Sequence, residues 1–172
     1  MKYYLMDGTG YLRAASDYAP NVKSHIFNRA KAKLDFIYMP QFSVTDVLRR
    51  LTKKYLADKV ISEDRYKKEC SDFISRIRDR NLIYIYDLHR YHNLNAKEHE
   101  IYKKYWQTCK KNGWAPDRHK FGAQQVLLVA MAYELKKRHI SPGDEVVIYT
   151  NMSEVHGVVE GTGLKIEIPG EY

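Results

Sequence analysis

Two aspartates occupy positions from which a carboxylate can do chemistry. Asp7 ends the apolar run Tyr3-Tyr4-Leu5-Met6, and Asp46 lies just after the run Phe36-Ile37-Tyr38-Met39. Two carboxylates converging from separate stretches of chain can bind Mg²⁺ or Mn²⁺, hard ions that take oxygen ligands. Such an ion acidifies a bound water and stabilises the charge that develops on a phosphodiester under attack. Each residue also has a purely structural reading. Asp7 can cap a following helix, and Ser43-Val44-Thr45-Asp46 reads as a capping box at a helix start.

These residues need a scaffold that brings them together. Short apolar runs alternate with longer helical patterns, the signature of βαβ units. Strands are predicted at 3–6, 36–39, 82–86, 145–150 and 164–168. The runs are too continuously apolar for a half-wet sheet and suit strands covered on both faces. Helices are predicted from Ser43 to Ala57, Glu63 to Arg78, Asn95 to Lys111 and His119 to His139. The third closes on Asn112-Gly113. The fourth carries Val126-Leu127-Leu128-Val129-Ala130-Met131-Ala132 and should be buried all round. A short helical turn is expected after Thr150. In open parallel sheets, ligands sit beyond the carboxyl ends of the strands, where Asp7, Asp87 and Thr150-Asn151 fall.

Four blocks carry a family resemblance. They are Leu5-Met6-Asp7-Gly8-Thr9-Gly10-Tyr11-Leu12, Met39-Pro40-Gln41-Phe42-Ser43-Val44-Thr45-Asp46-Val47-Leu48, Ala123-Gln124-Gln125-Val126-Leu127-Leu128-Val129-Ala130-Met131-Ala132 and Val146-Val147-Ile148-Tyr149-Thr150-Asn151-Met152-Ser153-Glu154-Val155. In order and spacing they resemble VapC-like PIN-domain ribonucleases over nearly the whole chain. The resemblance implies one domain over 1–172, a three-layer α/β/α fold with a central parallel sheet of four to five strands, and an Mg²⁺- or Mn²⁺-dependent endoribonuclease. It places Asp7, Asp46 and Glu154 as catalytic and metal-ligating, with Asn151 completing the ligand set. Gln125, Thr9, Thr150, Arg90 and His92 are then the groups that steady a ligand or meet substrate.

The departures are specific. Gln125 stands where the family carries its third acid, and Met152 where the Thr-Asn turn carries its own. Glu154 has the reach to substitute, and Asp117 is a weaker candidate. Losing two of four acids predicts weak activity, and the alternative is a non-catalytic PIN-like domain that binds RNA or protein. The resemblance also implies an antitoxin-like protein partner or a homodimer.

Other signals carry less. Asp7-Gly8-Thr9 resembles part of the DxDGT motif of haloacid-dehalogenase-like phosphatases, but the nucleophilic aspartate that chemistry needs is Leu5 here. His89, His92 and His99 are candidates for a transition metal or for general acids, with a solvated loop as the plainer reading. Gly161-Thr162-Gly163 lacks the lysine and following helix of a Walker motif.

Bulk properties fit this picture. The 172 residues suit one domain, and 44% hydrophobic with 29% charged residues is a globular balance. No apolar run approaches the roughly 20 residues needed to span a membrane, and no signal peptide is evident. Two cysteines, Cys70 and Cys109, make no CxxC pair, which points to a reducing cytoplasm. The net charge of +8 favours a phosphate backbone, and paired lysines and arginines recur along the predicted helices.

Overall fold

The computed structural model describes residues 1–79, 82–90, 92, 100–114, 122–139, 141–160 and 162–169. Five strands form one sheet: β1 (Lys2–Met6), β2 (Phe36–Pro40), β3 (Tyr84–Tyr86), β4 (Glu145–Tyr149) and β5 (Lys165–Glu167). Their order is β3-β2-β1-β4-β5, and every neighbouring pair is parallel. The central β1 pairs Leu5 with Tyr38 on one side and with Ile148 on the other.

Helices cover both faces, giving the expected three-layer α/β/α arrangement. Alternation along β1 shows how. Tyr4 and Met6 enter a core shared with α1 (Gly8–Ser16), α2 (Ile26–Lys31), α3 (Gln41–Leu56) and α4 (Glu63–Arg78). Leu5 enters the opposite core, shared with α5 (Glu100–Asn112), α6 (Ala123–His139) and α7 (His156–Val159). Successive strand residues point to opposite faces, so one strand feeds two cores. The predicted all-round burial of α6 holds through its centre, where Leu128, Val129, Ala130, Met131, Ala132 and Leu135 are buried.

Several expected boundaries are corrected. The predicted helix from Ser43 begins at Gln41, because Pro40, with φ −56°, turns β2 straight into α3. The Ser43–Asp46 capping box therefore does not form: both residues sit inside the helix. The third strand starts at Tyr84, since Leu82 and Ile83 donate their N–H groups to the Asp79 carbonyl instead of pairing with β2. Of the helix predicted over 95–111, Glu100–Asn112 is seen, and it closes on Gly113 at φ +64°. Residues 95–99 and 119–121 lie outside the described set.

Candidate active site

Asp7 follows β1 and caps α1, its Oδ1 accepting the Gly10 N–H at 2.7 Å. The Thr9 hydroxyl donates to the same oxygen at 2.8 Å. From the end of β4, the Thr150 hydroxyl donates to Oδ2, also at 2.8 Å. The carboxylate is thus held in one orientation by three donors from two strand ends. The support is itself tied down: the Asn151 N–H donates to Thr9 Oγ1 and the Met152 N–H to Thr150 Oγ1, each at 3.2 Å. Asp7 is 7% exposed. Burial pushes its carboxyl up from the ordinary value, against the Gly10, Thr150 and Thr9 hydrogen bonds and the charge of Arg50, which pull it down.

Asp46 reaches the same cleft from the first part of α3 and is 8% exposed. Arg49 donates to its Oδ1 at 2.7 Å and Arg50 to its Oδ2 at 2.6 Å. Both arginines lie on α3 at the helical spacings that bring side chains together. The cleft is lined by Asp7, Gly8, Thr9, Phe42, Ser43, Asp46, Arg50, Gln124, Gln125, Leu128 and Met152, and has room for about one water.

Gln125 faces this cleft but is engaged. It is the third residue of α6, and its Oε1 accepts the Gly122 N–H at 2.8 Å, the returning half of a capping box. Its amide donates to the Met152 sulfur at 3.2 Å. The two positions where the resemblance expects acids therefore contact each other as an amide and a thioether.

Other sequence candidates fall elsewhere. Glu154, half-buried in a 3₁₀ turn over Ser153–Val155, is not among the cleft's lining residues. Asn151 touches the site through its backbone, and its side chain is exposed. Arg90 is exposed and His92 is buried beyond β3, His92 accepting the His89 N–H at 2.9 Å; neither lines the cleft. His99, Gly161 and Asp117 lie outside the described residues. Sequence reasoning missed the Arg49–Asp46–Arg50 cluster, although the spacings i,i+3 and i,i+4 were there to be read.

Among the described residues, no group of three His, Cys, Asp or Glu side chains is placed to hold a metal. The two cleft carboxylates still suit one class of ion. Mg²⁺ commonly binds through one or two carboxylates, keeping several waters and adding substrate phosphate oxygens. Each Asp7 oxygen has two lone pairs, and Oδ2 takes the Thr150 hydroxyl at 2.8 Å and a longer approach of the shared Thr9 hydroxyl at 3.1 Å. At Asp46 an ion would displace a guanidinium. The Met152 thioether is too soft a donor to help. The donor set fits a weakly held, water-rich hard ion.

No protein-family model matches the chain, and no curated protein does. Among solved structures, VapBC-1 from nontypeable Haemophilus influenzae is similar in fold, with a TM-score of 0.52 over 98% of each chain and 11% sequence identity. No described helix is long and apolar enough to cross a membrane.

Proposed function

We propose, from the VapC-like PIN fold that this chain has, that it is a single-domain PIN-type endoribonuclease of low intrinsic activity, working with Mg²⁺ or Mn²⁺. One observation carries the reading: Asp7 and Asp46, from successive βα units, line one cleft at the carboxyl rim of the sheet. When bound, the ion would supply a more acidic water and stabilise charge on the phosphodiester. The chain's own residues do the rest. Asp7, oriented by Thr9 and Thr150, would hold the ion. Asp46 would hold the same ion in place of an arginine partner. Arg50 would then be able to pair with a phosphate oxygen. Gln125 and Met152 add no charge, so the ion would be weakly held. Glu154 and Asn151 stay outside this core set.

The Arg49–Asp46–Arg50 cluster favours a second reading, a PIN-like domain that binds RNA without cutting it. Cleavage of single-stranded RNA in Mn²⁺ separates the two. The nuclease reading expects cutting by the native chain and none by Asp7→Asn or Asp46→Asn. Equal rates in all three, or no cutting at any Mn²⁺ concentration, would leave the binding reading. An antitoxin-like protein is the partner the fold favours, with a homodimer as the second arrangement. A reducing cytoplasm suits Cys70 and Cys109, both free thiols.

A further inference from the structure

Helix α5 buries one side and leaves an unusual other. Ile101, Tyr105 and Cys109, four residues apart, enter the core beneath α6 and α7. Along the flank of that buried stripe lie Tyr102, 37% exposed, and Trp106, 56% exposed. They are one helical turn apart, a spacing that stacks side chains along one face. At about 100° per residue, Lys110 and Lys103 fall on the same arc, and both are exposed. The helix's one acid, Glu100, lies about 60° beyond Lys103, just outside that arc. Trp106 is steadied by an edge contact with the buried Tyr105, ring centroids 6.5 Å apart.

We infer that the outward face of α5 is a binding surface for single-stranded RNA, with Trp106 and Tyr102 as stacking platforms and Lys103 and Lys110 as phosphate contacts. Unpaired bases stack on exposed aromatics whatever their sequence, while cations beside them follow the backbone. A large indole left in water is otherwise unfavourable. Charge selects the occupant. A second copy of this chain would bring lysines against lysines in a protein already at +8, whereas a polyphosphate chain is complementary. The face belongs to the same layer as α6, whose first turn lines the cleft through Gln124 and Gln125. The inference deepens the RNA reading and rests on it for the identity of the ligand, but it does not require cleavage.

The test uses the full chain carrying Asp7→Asn, so that RNA stays intact, and Trp114→Phe, so that Trp106 is the sole indole of the original two. Titration with a 12-nucleotide oligo(U) is expected to quench Trp106 emission. Trp106→Ala, tested by anisotropy of the labelled oligonucleotide, should weaken binding roughly 5- to 150-fold, with Trp106→Phe in between. Lys103→Ala with Lys110→Ala should shallow the slope of log affinity against log salt by about 1.4. Unchanged emission on adding RNA overturns the inference, as does native affinity in Trp106→Ala. So does an emission shift that follows protein concentration alone, which would mark the face as a protein contact. If oligo(U) binding depends on Trp106 but the native chain never cuts RNA in Mn²⁺, the nuclease reading fails alone. Cutting that is indifferent to Trp106→Ala, with no quenching, removes this surface alone.

Discussion

A methyl group on Gly8 would stand 2.7 Å from Oδ2 of Asp46. The backbone after β1 therefore runs directly beneath the second carboxylate, and glycine is what allows it. Gly10 is tighter still, since a Cβ there would collide with the carbonyl oxygen of Tyr149. The two positions should respond differently. Gly10→Ala meets backbone and should destabilise by about 1–3 kcal/mol or more, read as a lower denaturant midpoint. Gly8→Ala meets a side-chain terminus, so it should cost less stability and act on Asp46. Its expected signature is near-native unfolding with strongly reduced Mn²⁺-dependent RNA cleavage. Equal loss of stability in both variants would refute the distinction.

Asp7 predicts a pH dependence. Burial raises its carboxyl in the folded protein above the ordinary value of 3.8. A group raised in this way favours the fold fully below its unfolded value, and that contribution is lost as pH rises through the folded value. Asp7→Asn keeps a helix-capping acceptor for Gly10 and removes the buried charge. In chelator, the variant should therefore melt above the native protein at pH 7. The gap should shrink as pH falls, closing below the carboxylate range of about 3.9. A variant that melts lower than the native chain at pH 7 would contradict this.

The Asp46 cluster predicts competition between an arginine and an ion. Arg50 is about two-fifths exposed, so its pairing with Asp46 is screened by water and worth at most about 1 kcal/mol. Arg50→Gln should tighten Mn²⁺ binding by roughly fivefold, the factor that energy corresponds to. Calorimetric titration of native and variant protein measures it. Weaker or unchanged Mn²⁺ binding in Arg50→Gln would show that the ion does not use Asp46.

The parts of the sequence that announced themselves were those with strong periodicity. Leu5, Ile37 and Ile148 sit in continuous apolar runs, and these became the three adjacent central strands. The helix predicted from Glu63 to Arg78 forms with those bounds, and the Ser62 hydroxyl before it accepts the Arg65 N–H. Less legible was α1, because Gly8 and Gly10 lower helix propensity; the close approaches to Asp46 and Tyr149 explain their presence only in three dimensions. Six-residue α2 is too short to show a helical period, and the His25 ring accepts at its start. Asp7 was legible as a strand-end acid. The pairing of Asp46 was legible only as a spacing, since a capping box and an arginine pair compete for the same carboxylate and the turn at Pro40 decides between them.

Gln125 supplies the last prediction, a gain of function. Gln125→Glu changes volume little and keeps an oxygen for the Gly122 N–H, so α6 should retain its cap. The new carboxylate would face the cleft that Asp7 and Asp46 already line, beside a sulfur that offers it no donor. Without an ion, a third acid in this part-buried cleft is unfavourable, and the variant should melt below the native protein in chelator. An ion reverses the sign. Ligand binding stabilises by RT ln(1 + [L]/Kd), so an ion present at ten times its Kd adds about 1.4 kcal/mol. At the scaling for chains of 150–250 residues, that is roughly 3–6 °C. Millimolar Mn²⁺ should therefore raise the melting temperature of Gln125→Glu more than that of the native chain, and RNA cleavage should rise in parallel. If Mn²⁺ shifts both proteins equally, the cleft beside Gln125 is not where the ion binds.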